Sequence, residues 1–199
     1  MNLYYTWASF WLSYFIFNCL IYDDQSSITK KIITTKQLLN NLGKNAIVTF
    51  ILTIIMYFIP PLMIIPTDFY GYIKRIIIAL VVGEVCFYWF HRALHYPFYK
   101  FHADHHTYVV PHSFAGLYAH PVEMIFNFFS ILIALQITNH FNIILSCIEG
   151  GAVALSISIN HSGHHNWLFS SKHHNKHHKK LNCNYGFLML TDWIFKTLQ

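Results

Sequence analysis

Long apolar runs separated by short polar connectors organise this chain. Leu3 to Tyr22 is a run of about twenty mostly apolar residues, enough to cross a hydrocarbon core about 30 Å thick or to lie along its interface. Residues 23–45 are polar, with Lys30, Lys31, Lys36 and Lys44, and read as a linker or a short surface helix. Asn45 to Ile65 is a clear spanning run, with Pro60 and Pro61 placed to kink or end it. Pro66 to Tyr72 makes a tight connection, and Ile73 to Phe90 is a further span that runs directly into His91. Beyond a histidine-bearing stretch to His120, Pro121 to Ile137 and Phe141 to Asn160 form an apolar pair joined by a turn at Thr138–His140. The tail to Gln199 is polar, and Tyr185 to Leu198 has the pattern of an amphipathic segment lying on a membrane surface. The pattern predicts an all-α, polytopic membrane helix bundle of about four spans. Residues 1–45 form its amino-terminal helix and linker, and residues 46–199 its main membrane domain.

The order of the runs makes a topological prediction. If the span ending at Phe90 leaves on one side, the pair from Pro121 to Asn160 crosses and returns, so His161 emerges where His91 emerged. Of the 13 Lys and Arg residues, all but Lys74 and Arg75 fall on that face or in the linker. The positive-inside rule then makes the histidine face cytoplasmic.

Composition supports the bilayer. Charged residues are 11% of the chain, against about a quarter in soluble domains. Aromatics reach 18%, which suits interfacial belts of Trp and Tyr. The net charge of +5 does not point to nucleic acid, because the basic residues flank apolar runs and build no soluble face. Cys19, Cys86 and Cys147 sit inside apolar runs, and none of the four cysteines forms a CxxC pair, so they read as buried thiols. No basic residue precedes the first apolar run, so a cleaved leader is not expected.

The chemistry lies in 15 histidines. His91-Arg-Ala-Leu-His95 places two imidazoles on one helix face, since residues four apart lie above one another. His102-Ala-Asp-His105-His106 repeats this at spacings of three and four. A second copy follows as His161-Ser-Gly-His164-His165 and His174-Asn-Lys-His177-His178. Neutral imidazole is the commonest metal-ligating side chain, and ten imidazoles in four chelating groups exceed what one ion uses, so the arithmetic points to two. Isolated histidines such as His112 and His140 read as solvated or capping residues. Imidazole-rich sites suit iron, zinc, copper or nickel. An all-nitrogen paired site beside a lipid phase makes most chemical sense if it activates oxygen against an unactivated C–H bond. A non-redox metal-binding or metal-transport membrane protein is the alternative from another class, and it would need polar residues along several spans. Glu84, seven residues before His91, falls on the same helical stripe and is expected to accept an imidazole N–H. Asp104 and Glu123 are expected in similar supporting roles.

These groups resemble the three histidine boxes of the fatty acid hydroxylase/sterol desaturase superfamily of membrane di-iron enzymes. The resemblance rests on His91-x-x-x-His95, His102-x-x-His105-His106 and His174-x-x-His177-His178. Ala119-His120-Pro121-Val122-Glu123, His161-Ser-Gly, Asn184-Tyr185-Gly186 and Thr191-Asp192-Trp193-Ile194-Phe195-Lys196-Thr197 add to it, over roughly Ile77 to Leu198. Lys196 stands where the family usually has glycine. The resemblance implies a cytoplasmic cap holding two iron ions, with zinc as a possible occupant on isolation. Its implied ligands are His91, His95, His102, His105, His106, His161, His174, His177 and His178, with His165 as the tenth and His164 its competitor. His173 is expected to support a neighbouring ligand, and His120 either ligates or supports. The implied activity is O2-dependent hydroxylation or desaturation of a membrane lipid. The motif surroundings are closest to the sterol methyl oxidase and sterol desaturase branch, with fatty acyl or sphingolipid hydroxylation as the alternative. Electrons are expected from an external donor of cytochrome b5 or reductase type, docking near Lys172, Lys176, Lys179 and Lys180, and the membrane of a eukaryote would be the endoplasmic reticulum.

Overall fold

The computed structural model describes residues 3–21, 28–30, 32–60, 68–137, 143–162 and 171–199. It is mostly helical, in keeping with the apolar runs. The long helices are α1 (Leu3–Ile21), α2 (Thr35–Tyr57) and α3 (Phe69–His95). A short α4 (Tyr99–His102) follows, then α5 (Pro121–Ile137), α6 (Ile143–Asn160), α7 (Ser171–Lys180) and α8 (Leu190–Ile194).

Each start has a local cause. Thr34 and Gln37 form a reciprocal capping box, so α2 begins at Thr35 and runs unbroken through residue 45. Eleven residues read as polar linker are therefore helix, because Thr-x-x-Gln satisfies the first orphan N–H groups. The same helix ends at Tyr57, just before Pro60. Asp68 caps α3 by accepting from the Gly71 N–H at 2.7 Å. Pro121 opens α5 at the position where its missing N–H costs nothing.

α1 packs along α6, α3 along α5, and α2 against both α1 and α5. Gly150 on α6 leaves no room for a Cβ against Ser9 and the Thr6 backbone, so α1 and α6 meet backbone to backbone. Polar residues of α1 are used between helices. Asn18 Nδ2 donates to Ser158 Oγ at 3.0 Å, and the Trp7 and Trp11 indoles both donate to Thr49 Oγ1. Tyr14 hydroxyl accepts from the Leu117 N–H and donates to the Phe114 carbonyl, which ties α1 to the loop between the first histidine groups and α5.

Outward faces of the long helices carry exposed apolar residues such as Leu12, Leu20, Ile47, Ile55, Ile77 and Val81. Among the described residues, α2 alone is long and apolar enough to cross a membrane by length and composition; the apolar helices Pro121–Gln136 and Cys147–Asn160 are shorter. The expectation of about four spans thus exceeds what helix length and composition establish.

Two further expectations give way. A small antiparallel ribbon pairs β1 (Ile28–Thr29) with β2 (Tyr108–Val110), stitching the linker to the segment after the second histidine group. The tail is not one continuous amphipathic helix, although Leu190, Trp193, Ile194 and Phe195 stay exposed on it. It folds back through left-handed residues Leu181, Asn184, Met189 and Lys196, burying Tyr185, Thr191 and Asp192. Buried hydrogen bonds outweigh the apolar alternation there, as Asp192 accepts from the N–H groups of Tyr185 and Gly186 and from Thr197 Oγ1. The turn at Thr138–His140 lies outside the described residues.

Candidate metal centre

Five chain segments deliver nine histidines to one end of the bundle. His91 and His95 occupy the last turns of α3, His102 ends α4, and His105 and His106 sit on a 3-10 turn at His105–Thr107. His161 follows α6 directly, and α7 carries His174, His177 and His178. They sort into two nests. His91, His95, His102, His106 and His177 bring one ring nitrogen each to within 4.8 Å of one another, and His105, His161, His174 and His178 do the same.

The sorting follows helical geometry. His91 with His95, His102 with His106, and His174 with His178 are spaced by four and share a nest. His105 and His177, one residue earlier, point elsewhere and join the opposite nest, because adjacent positions do not face one another.

Four of the outer ring nitrogens are held by backbone carbonyls. His91 Nδ1 donates to the Tyr185 carbonyl, His177 Nδ1 to the Cys183 carbonyl and His178 Nδ1 to the Tyr108 carbonyl, each at 2.7 Å. His161 Nδ1 donates to the Ile157 carbonyl at 2.8 Å, and His102 Nδ1 lies 2.9 Å from Glu123 Oε1. A carbonyl only accepts, so His91, His161, His177 and His178 carry their proton on Nδ1 and turn an Nε2 lone pair inward. Burial, with neighbouring imidazoles adding to it, pushes His102, His105, His106, His174, His177 and His178 well below the usual histidine range. Burial brings His161 down to about 4. The nests are therefore neutral at physiological pH.

This donor set fits metal ions. In the five-histidine nest, Nε2 atoms approach at 3.0–3.2 Å along five edges. In the other, His174 lies 2.7 Å from His161 and 3.0 Å from His178. Two nitrogens each about 2.1 Å from one ion stand about 3.0 Å apart at a right angle, but about 3.4 Å apart in a tetrahedron. Edges of this length let several nitrogens of one nest reach a single ion. Inward lone pairs at this separation repel one another in a dry pocket, and a cation removes that repulsion.

The supporting residues divide. Glu123 takes the place expected of it beside His102. Glu84 does not accept an imidazole N–H: its carboxylate accepts from the Phe187, Leu188 and Thr191 N–H groups at 3.0, 2.9 and 3.1 Å and from Thr191 Oγ1 at 2.6 Å. The folded-back tail supplies donors nearer than any imidazole. Helical phase placed Glu84 on the right stripe and could not show what would cover it. His120 accepts the Val122 N–H on Nδ1 at 3.1 Å and so caps α5. His173 is half-buried beside His174 and its carbonyl accepts from Asn184. Asp104 precedes the 3-10 turn, its carbonyl accepting from Thr107. His164 and His165 lie outside the described residues. The tail carbonyls and Gly116 were missed. A Cβ on Gly116 would stand 2.8 Å from Ile157 Cγ2 and 2.9 Å from His161 Nδ1; no residue-type signal marks a backbone carbonyl in advance.

The four-histidine nest opens onto an apolar cavity of about 340 Å³ between α3, α5, α6 and the tail, with His161 and His174 in its wall.

Comparison with known proteins agrees with this site. A 134-residue stretch, 65% of this chain and 40% of the relative, is 34% identical to the Homo sapiens protein named fatty acid hydroxylase domain-containing protein 2. A 126-residue stretch, 61% of the chain and 32% of the relative, is 36% identical to fatty acid hydroxylase ahd1 of Mycosarcoma maydis. A shorter stretch of 49 residues, 24% of the chain and 16% of the relative, is 49% identical to C-4 methylsterol oxidase of Candida albicans. The chain thus spans 40% or less of the length of these relatives. No solved structure matches. The model of the family described as fatty acid hydroxylase matches residues 76–197, and since that stretch holds both histidine nests and the tail that orients them, the chain belongs to the fatty acid hydroxylase family.

Proposed function

We propose that this protein is an integral-membrane oxidoreductase that uses O2 to hydroxylate or desaturate a membrane lipid at a two-iron centre. The observation that carries the reading is the junction of the four-histidine nest with the apolar cavity of about 340 Å³. That volume lies within the range of small-molecule sites, roughly 300–1,000 Å³. Nine histidines hold the ions, with His165 or His164 as a tenth ligand. Bound there, iron supplies reductive activation of O2 and the removal of hydrogen from an unactivated carbon.

The chain's own residues do the rest. His91, His161, His177 and His178, fixed through Nδ1 by backbone carbonyls, keep their lone pairs inward without reorganisation. The walls from α3, α5 and α6 hold hydrocarbon against His161 and His174 and exclude water. Lys172, Lys176, Lys179 and Lys180 on α7 form a basic surface beside the nests, suited to an acidic electron donor of cytochrome b5 type. The reading puts the histidine face in the cytoplasm, with about four spans in the endoplasmic reticulum of a eukaryote; the gathering of both nests at one end of the bundle and the Lys and Arg residues around them support it. A sterol or sterol-like substrate is favoured by the similarity to a protein named C-4 methylsterol oxidase. Fatty acyl hydroxylation is the second reading, favoured by the similarity to a protein named fatty acid hydroxylase.

The test is metal analysis of protein purified without oxygen, followed by reductant-dependent O2 uptake with sterols and with fatty acyl lipids. Two equivalents of iron and lipid-dependent uptake are expected. Full folding with zinc alone after iron loading, and no uptake with any lipid, would overturn the proposal in favour of a metal-binding protein without turnover.

A further inference from the structure

A second, smaller chamber of about 70 Å³ lies against the nests, bordered by Phe10 of α1 and by Met124 and Phe128 of α5. Rings from both nests line it, His91 from one and His105, His161 and His174 from the other. Phe87, Ile131 and Ile157 border this chamber and the large apolar cavity alike, so a shared apolar wall stands between the two spaces. His161 and His174 also border both. The four-histidine nest therefore faces two chambers, and they differ in character.

The difference comes from α5. Glu123 and Asn127 are four apart and share a helix face. Both line the small chamber and neither lines the large one. Asn127 Nδ2 donates to Glu123 Oε1 at 3.3 Å, the same oxygen that lies 2.9 Å from His102 Nδ1. Glu123 Oε2 and Asn127 Oδ1 remain as buried oxygens with no hydrogen-bond partner among the described residues, and Glu123 is only 1% exposed. Buried oxygens left unsatisfied are costly, so the chamber calls for an occupant that offers hydrogens. Dioxygen and hydrocarbon offer none. Water does, and it fits whether Glu123 is ionised or carries a proton, because it both donates and accepts. At about 30 Å³ for each molecule of the liquid, the chamber has room for about two waters.

Resting on the lipid-oxidising function above, we infer that this chamber is a water site of the metal centre, held by Glu123 and Asn127 and walled off from the lipid cavity. Hydroxylation of a C–H bond balances as RH + O2 + 2 e− + 2 H+ → ROH + H2O, with the electrons coming from the external donor. Each turnover thus consumes protons and forms water. Ordered water against both nests relays those protons and takes up the water formed, while the apolar wall keeps the lipid side dry. Asn127 is a positioning residue, acting through the water it holds.

Radiolytic labelling reads such water directly. Full-length, iron-loaded protein in lipid nanodiscs receives a microsecond X-ray pulse, which splits water where it lies, and mass spectrometry finds the modified side chains. Met124 on the chamber wall and Met56 on α2 are a matched pair, at 2% and 3% exposure. Labelling of Met124 well above Met56 is expected. Asn127→Leu, close in size but without an acceptor, should lose that excess while keeping its iron, and Asn127→Ser should restore it. No excess at Met124 in the unaltered protein overturns the inference, and so does a folded Asn127→Leu variant labelled as before. In turnover, Asn127→Leu should slow O2 uptake and leave the lipid KM unchanged. A changed lipid KM at an unchanged rate would place Asn127 on the lipid side and overturn the water site as well. Labelling as expected without O2 uptake would count against the oxidase function alone, and a dry chamber with lipid-dependent uptake against the water site alone.

Discussion

Replacing Glu84 by glutamine should loosen the tail and empty one nest before the other. The carboxylate gathers four donors, with Oε2 taking the Phe187 and Leu188 N–H groups and Oε1 taking the Thr191 N–H and hydroxyl. Glutamine keeps the shape but turns one oxygen into a donor, so two of these donors lose their acceptor. Each buried group left unsatisfied costs about 1–3 kcal/mol. Because the losses share one turn and do not add fully, a net destabilisation of about 3 kcal/mol is expected. For a chain of this size that is a fall in Tm of roughly 6–12 °C. The consequence for the site follows from the covalent neighbours. The same tail offers the Tyr185 and Cys183 carbonyls to His91 and His177, both in the five-histidine nest. Losing such a support typically weakens metal affinity about 10- to 100-fold. In a chelator challenge, Glu84→Gln should therefore release about one equivalent of metal early and retain the other. Amide exchange at residues 185–191 should rise in the same sample. Unchanged exchange in that segment with an unchanged Tm would refute the tail-locking role. Loss of both equivalents at the same rate would refute its assignment to one nest.

Gly116→Ala drives a Cβ into Ile157 and His161, so it should deplete the four-histidine nest first, the reverse of Glu84→Gln, as measured by metal stoichiometry. His105→Ala and His177→Ala should each abolish turnover and remove about one equivalent of metal, from opposite nests, whereas His140→Ala should leave content and turnover intact. Lys196 sits at φ 57°, a conformation that costs a non-glycine residue about 1 kcal/mol. Lys196→Gly should then raise stability by up to about 1 kcal/mol in a thermal melt, and a loss of stability would contradict the strain. The folded histidines titrate below their unfolded value of about 6.5. Stability and metal retention from this source are thus present above about pH 6.5 and are lost as pH falls toward the folded value of about 4 at His161. A metal-free sample that grows more stable between pH 7 and 5 would reverse that sign.

The parts legible in advance are those with a period. HxxxH spacing placed pairs on common helix faces, and His91 with His95 and His174 with His178 do share nests. What spacing could not express is that neighbours such as His105 and His106 part company, because that depends on which element lies on each side. Glu84 shows the same divide: its helical phase was correct, while its partners lie more than a hundred residues on. The opening of α2 was readable from Thr34 and Gln37 but was outvoted by surrounding polar residues. The folding-back of the tail was not legible for a related reason. Its alternation is that of a surface segment, yet Asp192 and Glu84 draw its backbone inward, and Gly186 fits there because a Cβ would strike Thr191 Oγ1 at 2.8 Å.

The parting of adjacent histidines also fixes how the nests relate. His105 and His106 are joined by one peptide link and belong to different nests, and so do His177 and His178. Consecutive Cα atoms are held about 3.8 Å apart, so two separate backbone segments set the spacing between nests with almost no freedom. The segments are in turn coupled. His178 Nδ1 donates to the Tyr108 carbonyl, just beyond the turn that carries His105 and His106, and Tyr108 pairs with Thr29 in the ribbon. A displacement of α7 therefore moves ligand groups in both nests at once, and a displacement of the turn does the same from the other side. Two independent metal sites would need two sets of loops to hold their distance. Here covalent geometry holds it twice over, and the tail and ribbon have only to keep the two segments in register.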